Sequence, residues 1–238
     1  YYHMKKSILF LSMLFITGLA IAQPASKNVT LLSQLTYTQN LSDVWGYVDT
    51  SGNEWAIVGA FNGTSIVDLS NPAAPVERFY IPGAGSTWRD IKTWGHYAYV
   101  TNETANGLLI IDLDSLPTAI VYKDTTLAGM NTAHNLYIDS AGFCYVVGAD
   151  IDGGGITIFD LNPDPWNPVK VGAYTTRYVH DIYVRNDTAY LSEINDGLLT
   201  ILDVSNKSSL TTLGSVTYTD AFTHNAWLSD NSQTCFTT

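Results

Sequence analysis

Short stretches in which apolar and polar residues alternate recur along most of the chain. The clearest unit lies between residues 180 and 219 and reads HDIYVRN, TAYLSEI, GLLTILDVS and TTLGSVTYT, with the turn sequences RND, NDG and SNKSS in between. Alternation with a period of two is typical of half-buried strands, and clusters of Gly, Asn, Asp and Ser separate them. The pattern therefore predicts four short β-strands per unit and no helix beyond the amino-terminal leader.

Two landmarks show that this unit is repeated. The residue that opens each unit is spaced by 47, 45, 46 and 44 residues, at Asp43, Asp90, Asn135, Asp181 and Asn225. The acid that ends each third strand is spaced by 44, 48 and 43 residues, at Asp68, Asp112, Asp160 and Asp203. Four strands in roughly 45 residues are the signature of a propeller blade. We predict an all-β chain, a β-propeller of four-stranded blades with about four and a half repeats visible. The alternatives are a β-sandwich, which would not repeat its whole sequence pattern so closely, and a β-solenoid, whose repeating coil usually has fewer residues.

The two ends of the repeat region predict partial blades. Residues 29–43, VTLLSQLTYTQNLSD, match the fourth strand and following loop of the last complete unit, so we expect the first blade to be preceded by a fourth strand. The final residues, CFTT, fall in the second strand of a fifth unit. We therefore expect a propeller domain over residues 23–238 that is incomplete at its carboxyl terminus.

The amino terminus has the features of a secretory leader. Three residues precede Met4; Lys5 and Lys6 and an apolar run follow, and Ala20 and Ala22 are small residues at the expected cleavage site. This predicts a signal peptide with an upstream remnant over residues 1–22, and a secreted or cell-surface protein with no transmembrane helix after its removal. An uncleaved membrane anchor is the alternative, although the apolar run is short for spanning a bilayer.

Charge narrows the range of partners. Lys and Arg number 11 against 22 Asp and Glu, for a formal net charge of −11. Phosphate backbones require a basic footprint that this chain lacks, which argues against nucleic acid as a partner. An acidic surface is compatible with divalent cations or simply with solubility.

Several reactive residue types are better explained by their place in the repeat. The acids that end the third strands start turns such as DLSNP and DLNPDP, where a short acid accepts bonds from backbone N–H groups. Cys144 and Cys235 occupy a second-strand position that holds Ala in other units. Equivalent positions two blades apart exceed disulfide reach, so we expect two free thiols.

One group of polar residues is a candidate site. Three histidines stand immediately before first strands, and in a propeller these starts meet the loops between second and third strands at one funnel. The funnel candidates for ligand binding are Arg89, Asp90, His134, His180, Asp181, Glu193 and His224. The alternative is that each His or Asp bonds the backbone of the neighbouring blade. We expect histidines of consecutive blades to lie too far apart to share a zinc ion.

Two weaker signals concern metals and partners. Asp150 and Asp152 in GADIDGGG have part of the spacing of a calcium loop but lack its downstream acid, and no other cofactor is evident. Trp88 and Trp166 lie in loops, where they are candidates for stacking on a partner. No glycine-rich phosphate loop opens a helix, so nucleotide use has no support.

The third-strand cores SIVDLSNPAAP, LLIIDLDSLP, ITIFDLN and LTILDVSN resemble the LVIVD repeat of bacterial and archaeal surface proteins. The segment STWRDIKTWGHYAYVTNE, with HNLYID and HDIYV, resembles the choice-of-anchor B family more specifically. The resemblance extends from about residue 28 to the end of the chain. It implies a secreted or cell-surface β-propeller whose anchor differs between members, and it transfers no catalytic residue.

Three functions remain open at this stage. The first is a secreted or cell-surface binding module for an extracellular protein or glycan, without an assignable reaction. The second is a metal- or calcium-assisted hydrolase or oxidoreductase that uses the funnel His, Asp and Glu residues. The third is a purely structural component of the cell envelope.

Overall fold

The computed structural model describes residues 28–238. Every strand of the described chain belongs to the compact unit Ser33–Thr238. The predicted signal peptide lies outside the described residues, and the predicted domain start at residue 23 stays a prediction. No helix in the described part of the chain is long and apolar enough to span a membrane.

Four antiparallel sheets of four strands follow one another, each in simple sequential order. The first blade contains β1 (Leu41–Val48), β2 (Glu54–Ala60), β3 (Gly63–Asp68) and β4 (Val76–Pro82). The second contains β5 (Ile91–Trp94), β6 (Tyr97–Val100), β7 (Leu108–Asp112) and β8 (Val121–Thr125). The third contains β9 (Asn135–Ile138), β10 (Phe143–Val147), β11 (Ile156–Asp160) and β12 (Val169–Tyr174).

The fourth blade contains β13 (Asp181–Arg185), β14 (Thr188–Glu193), β15 (Leu198–Asp203) and β16 (Thr211–Val216), which match the four strands read from the sequence. A two-stranded sheet follows, with β17 (Ala226–Leu228) and β18 (Cys235–Thr237). Two short 3₁₀ turns, Leu127–Gly129 and Asp152–Gly154, lie in loops. The predicted all-β propeller of four-stranded blades is confirmed.

The core lies between successive blades rather than within one sheet. Ile57 and Ile66 of the first blade and Ile91 and Val100 of the second are fully buried in one cluster. Equivalent clusters join the second blade to the third and the third to the fourth. Burying an isoleucine side chain stabilises the fold by about 1.5–3 kcal/mol, so facing blades hold each other in place. The second and third strands of the two middle blades are buried on both faces, because each of these blades has a neighbour on both sides.

The acids that end the third strands have the turn role that the sequence predicts. In each of the four blades one carboxylate oxygen accepts a hydrogen bond from the backbone N–H two residues on, over 2.8–3.0 Å. The donors are Ser70, Asp114, Asn162 and Ser205. These bonds fix the tight turn that leads to the outer strand of the same blade.

The prediction of a fourth strand before the first blade is wrong. Residues 29–39 form no strand, because no backbone ladder in the described chain pairs with them. Part of this segment instead attaches by side chains to the first blade: Tyr37 shares a hydrogen bond with Ser65 over 2.8 Å, and Gln39 donates to the Tyr80 hydroxyl over 2.8 Å. The prediction of two free thiols is confirmed, since Cys144 and Cys235 are unpaired.

Candidate functional site

A concave opening forms where the first strands begin. We call it the rim cleft; its volume is about 200 Å³. Apart from Trp88, its lining consists of the opening residues and the residues just before them, taken from five consecutive blades: Ser42, Asp43, Arg89, Asp90, His134, Asn135, His180, Asp181 and His224. The propeller gathers these residues because β1, β5, β9, β13 and β17 lie next to one another in chain order. Six of the seven predicted funnel residues therefore meet in one place.

The three histidines form a continuous row, which we call the histidine row: His134, His180 and His224. Ring centroids of successive members are 4.2 Å apart, with interplanar angles of 49° and 50°. The sequence predicts that histidines of consecutive blades lie too far apart to share a zinc ion. Successive rings are adjacent, because the start of each first strand places its imidazole against the next. Within residues 28–238, however, no three His, Cys, Asp or Glu side chains are positioned around one metal ion.

Each of the first two imidazoles is held through Nδ1. His134 Nδ1 lies 2.5 Å from Glu103 Oε1, and His180 Nδ1 lies 2.9 Å from the carbonyl oxygen of His224. A carboxylate and a carbonyl can only accept, so in both contacts Nδ1 is the donor. Burial and the neighbouring His134 together lower the pKa of His180 to about 4, against the bond to the His224 carbonyl. His180 is therefore a neutral imidazole at physiological pH.

The opening acids of the first two blades connect one blade to the next. Asp43 Oδ2 accepts the Ile91 N–H over 2.9 Å, and Asp90 Oδ2 accepts the Leu136 N–H over 3.0 Å. Between the third and fourth blades, Asn135 Nδ2 donates to Asp181 Oδ2 over 3.0 Å. The neighbour-blade alternative therefore describes what these polar groups do, and the same residues also line the rim cleft.

Electrostatics at these acids are dominated by burial. Burial raises the pKa of Asp181 to about 6, with Lys92 acting in the opposite direction. Burial also raises the pKa of Asp90, although Lys92 Nζ lies 2.9 Å from its carboxylate and favours ionisation. Lys92 also lies 3.8 Å from Asp43, so one ammonium serves acids of two blades.

Arg89 contributes to the wall of the cleft, but its guanidinium serves the loops. Nε donates to the Ala60 carbonyl over 2.9 Å, and one terminal nitrogen donates to the carbonyls of Ala84 and Phe61. The residue is only 3% exposed. The guanidinium therefore donates hydrogen bonds to backbone carbonyl groups between the first two blades.

Glu193 is the predicted funnel residue that does not line the rim cleft. Its side chain is fully buried and accepts hydrogen bonds from the Tyr174 hydroxyl and the Thr200 hydroxyl, each over 2.8 Å. Arg177 lies 3.6 Å away and balances its charge. The prediction for Glu193 needs correction, because the end of β14 directs this carboxylate between two blades, where protein donors satisfy it.

Asp150 and Asp152 do not form the calcium loop that their spacing suggested. Asp150 Oδ1 accepts the N–H groups of Asn131 and Thr132 over 2.9 and 3.2 Å. The Asp152 carboxylate binds Lys170 Nζ over 2.6 Å, so an ammonium already neutralises it. Within residues 28–238, no group of three or more His, Cys, Asp and Glu side chains is positioned to hold one metal ion.

Two further residues matter at the site. Trp88, one of the two predicted stacking candidates, is 52% exposed at the cleft edge, with its ring centroid 6.3 Å from that of His134. The other candidate, Trp166, is partly buried and packs against the core between the second and third blades. Lys92 was missed. Its position two residues after the opening residue holds an aromatic side chain in the other units (Trp45, Tyr137, Tyr183 and Trp227), and this break in the repeat was the available signal.

A serine-hydrolase arrangement is not assembled here. The Ser192 hydroxyl is buried and has no hydrogen-bond partner, and only its backbone carbonyl meets His180, through the backbone N–H at 2.9 Å. Nucleophilic activation needs the hydroxyl itself within hydrogen-bond reach of an imidazole nitrogen.

Fold and site together define a repeat-built β-propeller with a polar cleft at the starts of its first strands. The LVIVD repeat model matches residues 47–81, 84–126 and 177–218, which together are just over half of the chain. The chain therefore belongs to the LVIVD repeat family. No curated protein matches it significantly in sequence.

Solved structures share the fold at low identity. A functionally unknown protein from Desulfotomaculum acetoxidans DSM 771 is 12% identical with a TM-score of 0.64, over 86% of this chain and 64% of that one. A protein from Bacteroides uniformis ATCC 8492, named as a candidate 6-phosphogluconolactonase, is 12% identical with a TM-score of 0.60, over 76% and 55%. YCF48 bound to D1 peptide is 8% identical with a TM-score of 0.56, over 84% and 60%. The chain thus spans 55–64% of the length of these structures, and the likeness shows the fold alone.

Proposed function

We propose that this protein is an exported β-propeller that binds an extracellular partner, a protein segment or a glycan, at the rim cleft. The observation that carries the proposal is the combination of the histidine row with the exposed Trp88 at one concave opening. The tilted imidazoles and the indole, which meets His134 edge-on, give the opening an aromatic lining, while the acids and amide beside them supply hydrogen bonds. Such a mixture is what ligand sites on rigid folds use.

The groups at the cleft favour binding over catalysis. The carboxylates of Asp43 and Asp90 already accept backbone N–H groups of the next blade, and Glu193 lies elsewhere with its own donors. The hydrolase or oxidoreductase alternative needs a carboxylate or hydroxyl free to act on a substrate. Asp181 also lines the cleft and accepts a hydrogen bond from Asn135 Nδ2, so it is the carboxylate on which that alternative would depend.

Export and surface location are part of the same proposal. They rest on the charged, apolar and small-residue segments of residues 1–22 and on the resemblance to the choice-of-anchor B family. Expression of the full chain in a bacterial host, followed by mass spectrometry of the exported fraction, checks the leader. We expect a mature chain that begins at Gln23; a chain that retains residues 5–22 in the cell membrane would contradict it.

Binding is tested with defined probes. The full chain is applied to an array of bacterial and host extracellular glycans and to a library of displayed random peptides, and retained ligands are titrated against variants. Trp88→Ala should weaken binding by up to about tenfold, since an aromatic contact contributes roughly 0.5–1.5 kcal/mol. Trp166→Ala is the matched control, because Trp166 packs on the core between the second and third blades. Binding that Trp88→Ala leaves unchanged, or no binding in either library, would contradict the proposal.

A further inference from the structure

The two held imidazoles of the histidine row share an arrangement typical of metal ligands. Each donates its Nδ1–H to a protein oxygen, His134 to the Glu103 carboxylate and His180 to the His224 carbonyl. Metal-binding histidines almost always donate their second ring N–H to a carboxylate or backbone carbonyl, which fixes the tautomer and ring orientation. In the neutral ring this leaves Nε2 with an unprotonated lone pair.

Nothing in the described chain occupies those lone pairs. The hydrogen bonds of both rings within residues 28–238 involve Nδ1, and none involves Nε2. Both rings line the rim cleft, and their centroids are 4.2 Å apart. Two neighbouring Lewis bases therefore share a solvent-accessible cavity of about 200 Å³ without a partner.

We infer that His134 and His180 together bind a divalent transition-metal ion of the copper or zinc class through their Nε2 atoms. Imidazole nitrogen is a preferred ligand for these ions, whereas calcium and magnesium prefer oxygen. Because no three side chains in the described residues are positioned around one ion, the protein supplies two ligands and leaves open positions on the metal. Those positions are filled by water or by donor atoms of a bound partner.

The charge around the pair suits a cation. Glu103 lies against His134, and Asp181 lines the same cleft beside His180. The chain as a whole carries a formal charge of −11, which raises the local concentration of cations. The ring centroid of His224 lies 4.2 Å from that of His180, on the side away from His134 in chain order.

The test uses Cu²⁺ as the probe, since copper binds nitrogen sites more tightly than its first-row neighbours. All proteins carry His3→Asn, which removes the histidine outside the described residues. Calorimetry and electron paramagnetic resonance are recorded on the full chain and on His134→Asn, His180→Asn and His96→Asn. Asparagine keeps an N–H donor near the Nδ1 position and lacks the Nε2 ligand, so the contacts to Glu103 and the His224 carbonyl can persist. His96 lies on another turn and is the matched control.

We expect one equivalent of Cu²⁺ with nitrogen coupling from two imidazoles, and an affinity loss of at least about tenfold in His134→Asn and in His180→Asn. His96→Asn should retain wild-type affinity. Equal unfolding temperatures of the variants in the absence of metal would show that the loss of affinity is local. If a histidine variant fails to fold, Glu103→Gln, which keeps an oxygen acceptor, gives a second readout. The inference is overturned if Cu²⁺ does not bind, if its spectrum lacks imidazole coupling, or if His96→Asn weakens binding as much as His180→Asn. Partner binding through Trp88 is measured in a separate experiment. The metal inference and the proposed binding function can therefore each fail without the other.

Discussion

Two acidic positions recur along the propeller, and they do different work. The acids that end the third strands each bond a backbone N–H two residues on and shape a turn within their own blade. The opening acids Asp43 and Asp90 instead reach the first strand of the next blade. The second set also lines the rim cleft, and no third-strand acid does. The acids that link blades are thus gathered at one concave opening, whereas the acids that shape turns are separated from one another along the blade edges.

The comparison shows how repetition separates fold from site. The third-strand acid is the same residue type with the same bond in all four blades, as expected for a structural role. The residue before the opening position varies, with Ser42 and Arg89 in the first two blades and histidine in the next three. That change of residue type creates the histidine row, so the site appears where the repeat stops being uniform.

Removal of an opening acid should have the largest effect on stability. Asp90→Ala leaves the Leu136 N–H without its acceptor and Lys92, whose side chain is only 12% exposed, without its nearest partner. Breaking a buried pair by removing one member costs about 3–5 kcal/mol. Urea unfolding of wild type, Asp90→Ala and Asp90→Asn measures this. Asp90→Asn should lose less unfolding free energy than Asp90→Ala, since its amide oxygen can still accept the Leu136 N–H. Equal losses in the two variants would show that this hydrogen bond between blades contributes nothing to stability.

Removal of a turn acid should cost less. Asp160 accepts the Asn162 N–H over 2.9 Å and its side-chain amide over 2.8 Å at the edge of the third blade. Asp160→Ala should lower the free energy of unfolding by about 0.5–1.5 kcal/mol, because solvent can replace the lost partner. The same urea titration checks it. A loss as large as that of Asp90→Ala would remove the distinction between the two positions.

A third acidic position should show a distinctive pH dependence. Asp49 begins the turn between β1 and β2. Burial disfavours its charge, but donors from Asn53, Trp55 and the backbone outweigh burial and lower its pKa to about 2. A carboxyl whose folded pKa lies below the ordinary 3.8 stabilises the fold above that value and loses the contribution as pH falls towards 2.

Stability of the wild-type chain should therefore fall between about pH 4 and pH 2 partly through Asp49. Asp49→Asn should be less stable at pH 7 and should show a shallower fall over that window. Thermal unfolding at closely spaced pH values measures the difference in slope. Parallel curves for the two proteins would contradict the role of the ionised carboxylate.

The fold was largely predictable because each blade repeats one strand pattern and one turn acid. The starts of the first strands were predictable as a meeting place for the same reason. Their geometry was not: the 4.2 Å separation of successive imidazoles depends on how closely the first strands approach, which no single blade encodes. Glu193 was assigned to the funnel by register alone, and its side chain instead bonds Tyr174 of the preceding blade. Arg89 does line the cleft, but its guanidinium bonds the Ala60 carbonyl, a contact that the repeat does not indicate.

The tautomer of His180 tests the central claim most directly, because two roles depend on this one ring. Its Nδ1 bonds the His224 carbonyl of the next sheet, and its Nε2 is the atom that we assign to the ligand site. A two-bond ¹H–¹⁵N correlation spectrum of the labelled full chain at neutral pH, assigned with His180→Asn, reports which ring nitrogen carries the proton. We predict a neutral ring with the proton on Nδ1, held by the His224 carbonyl, and a bare Nε2. A proton on Nε2 in the neutral ring would contradict both the link between blades and the open ligand site.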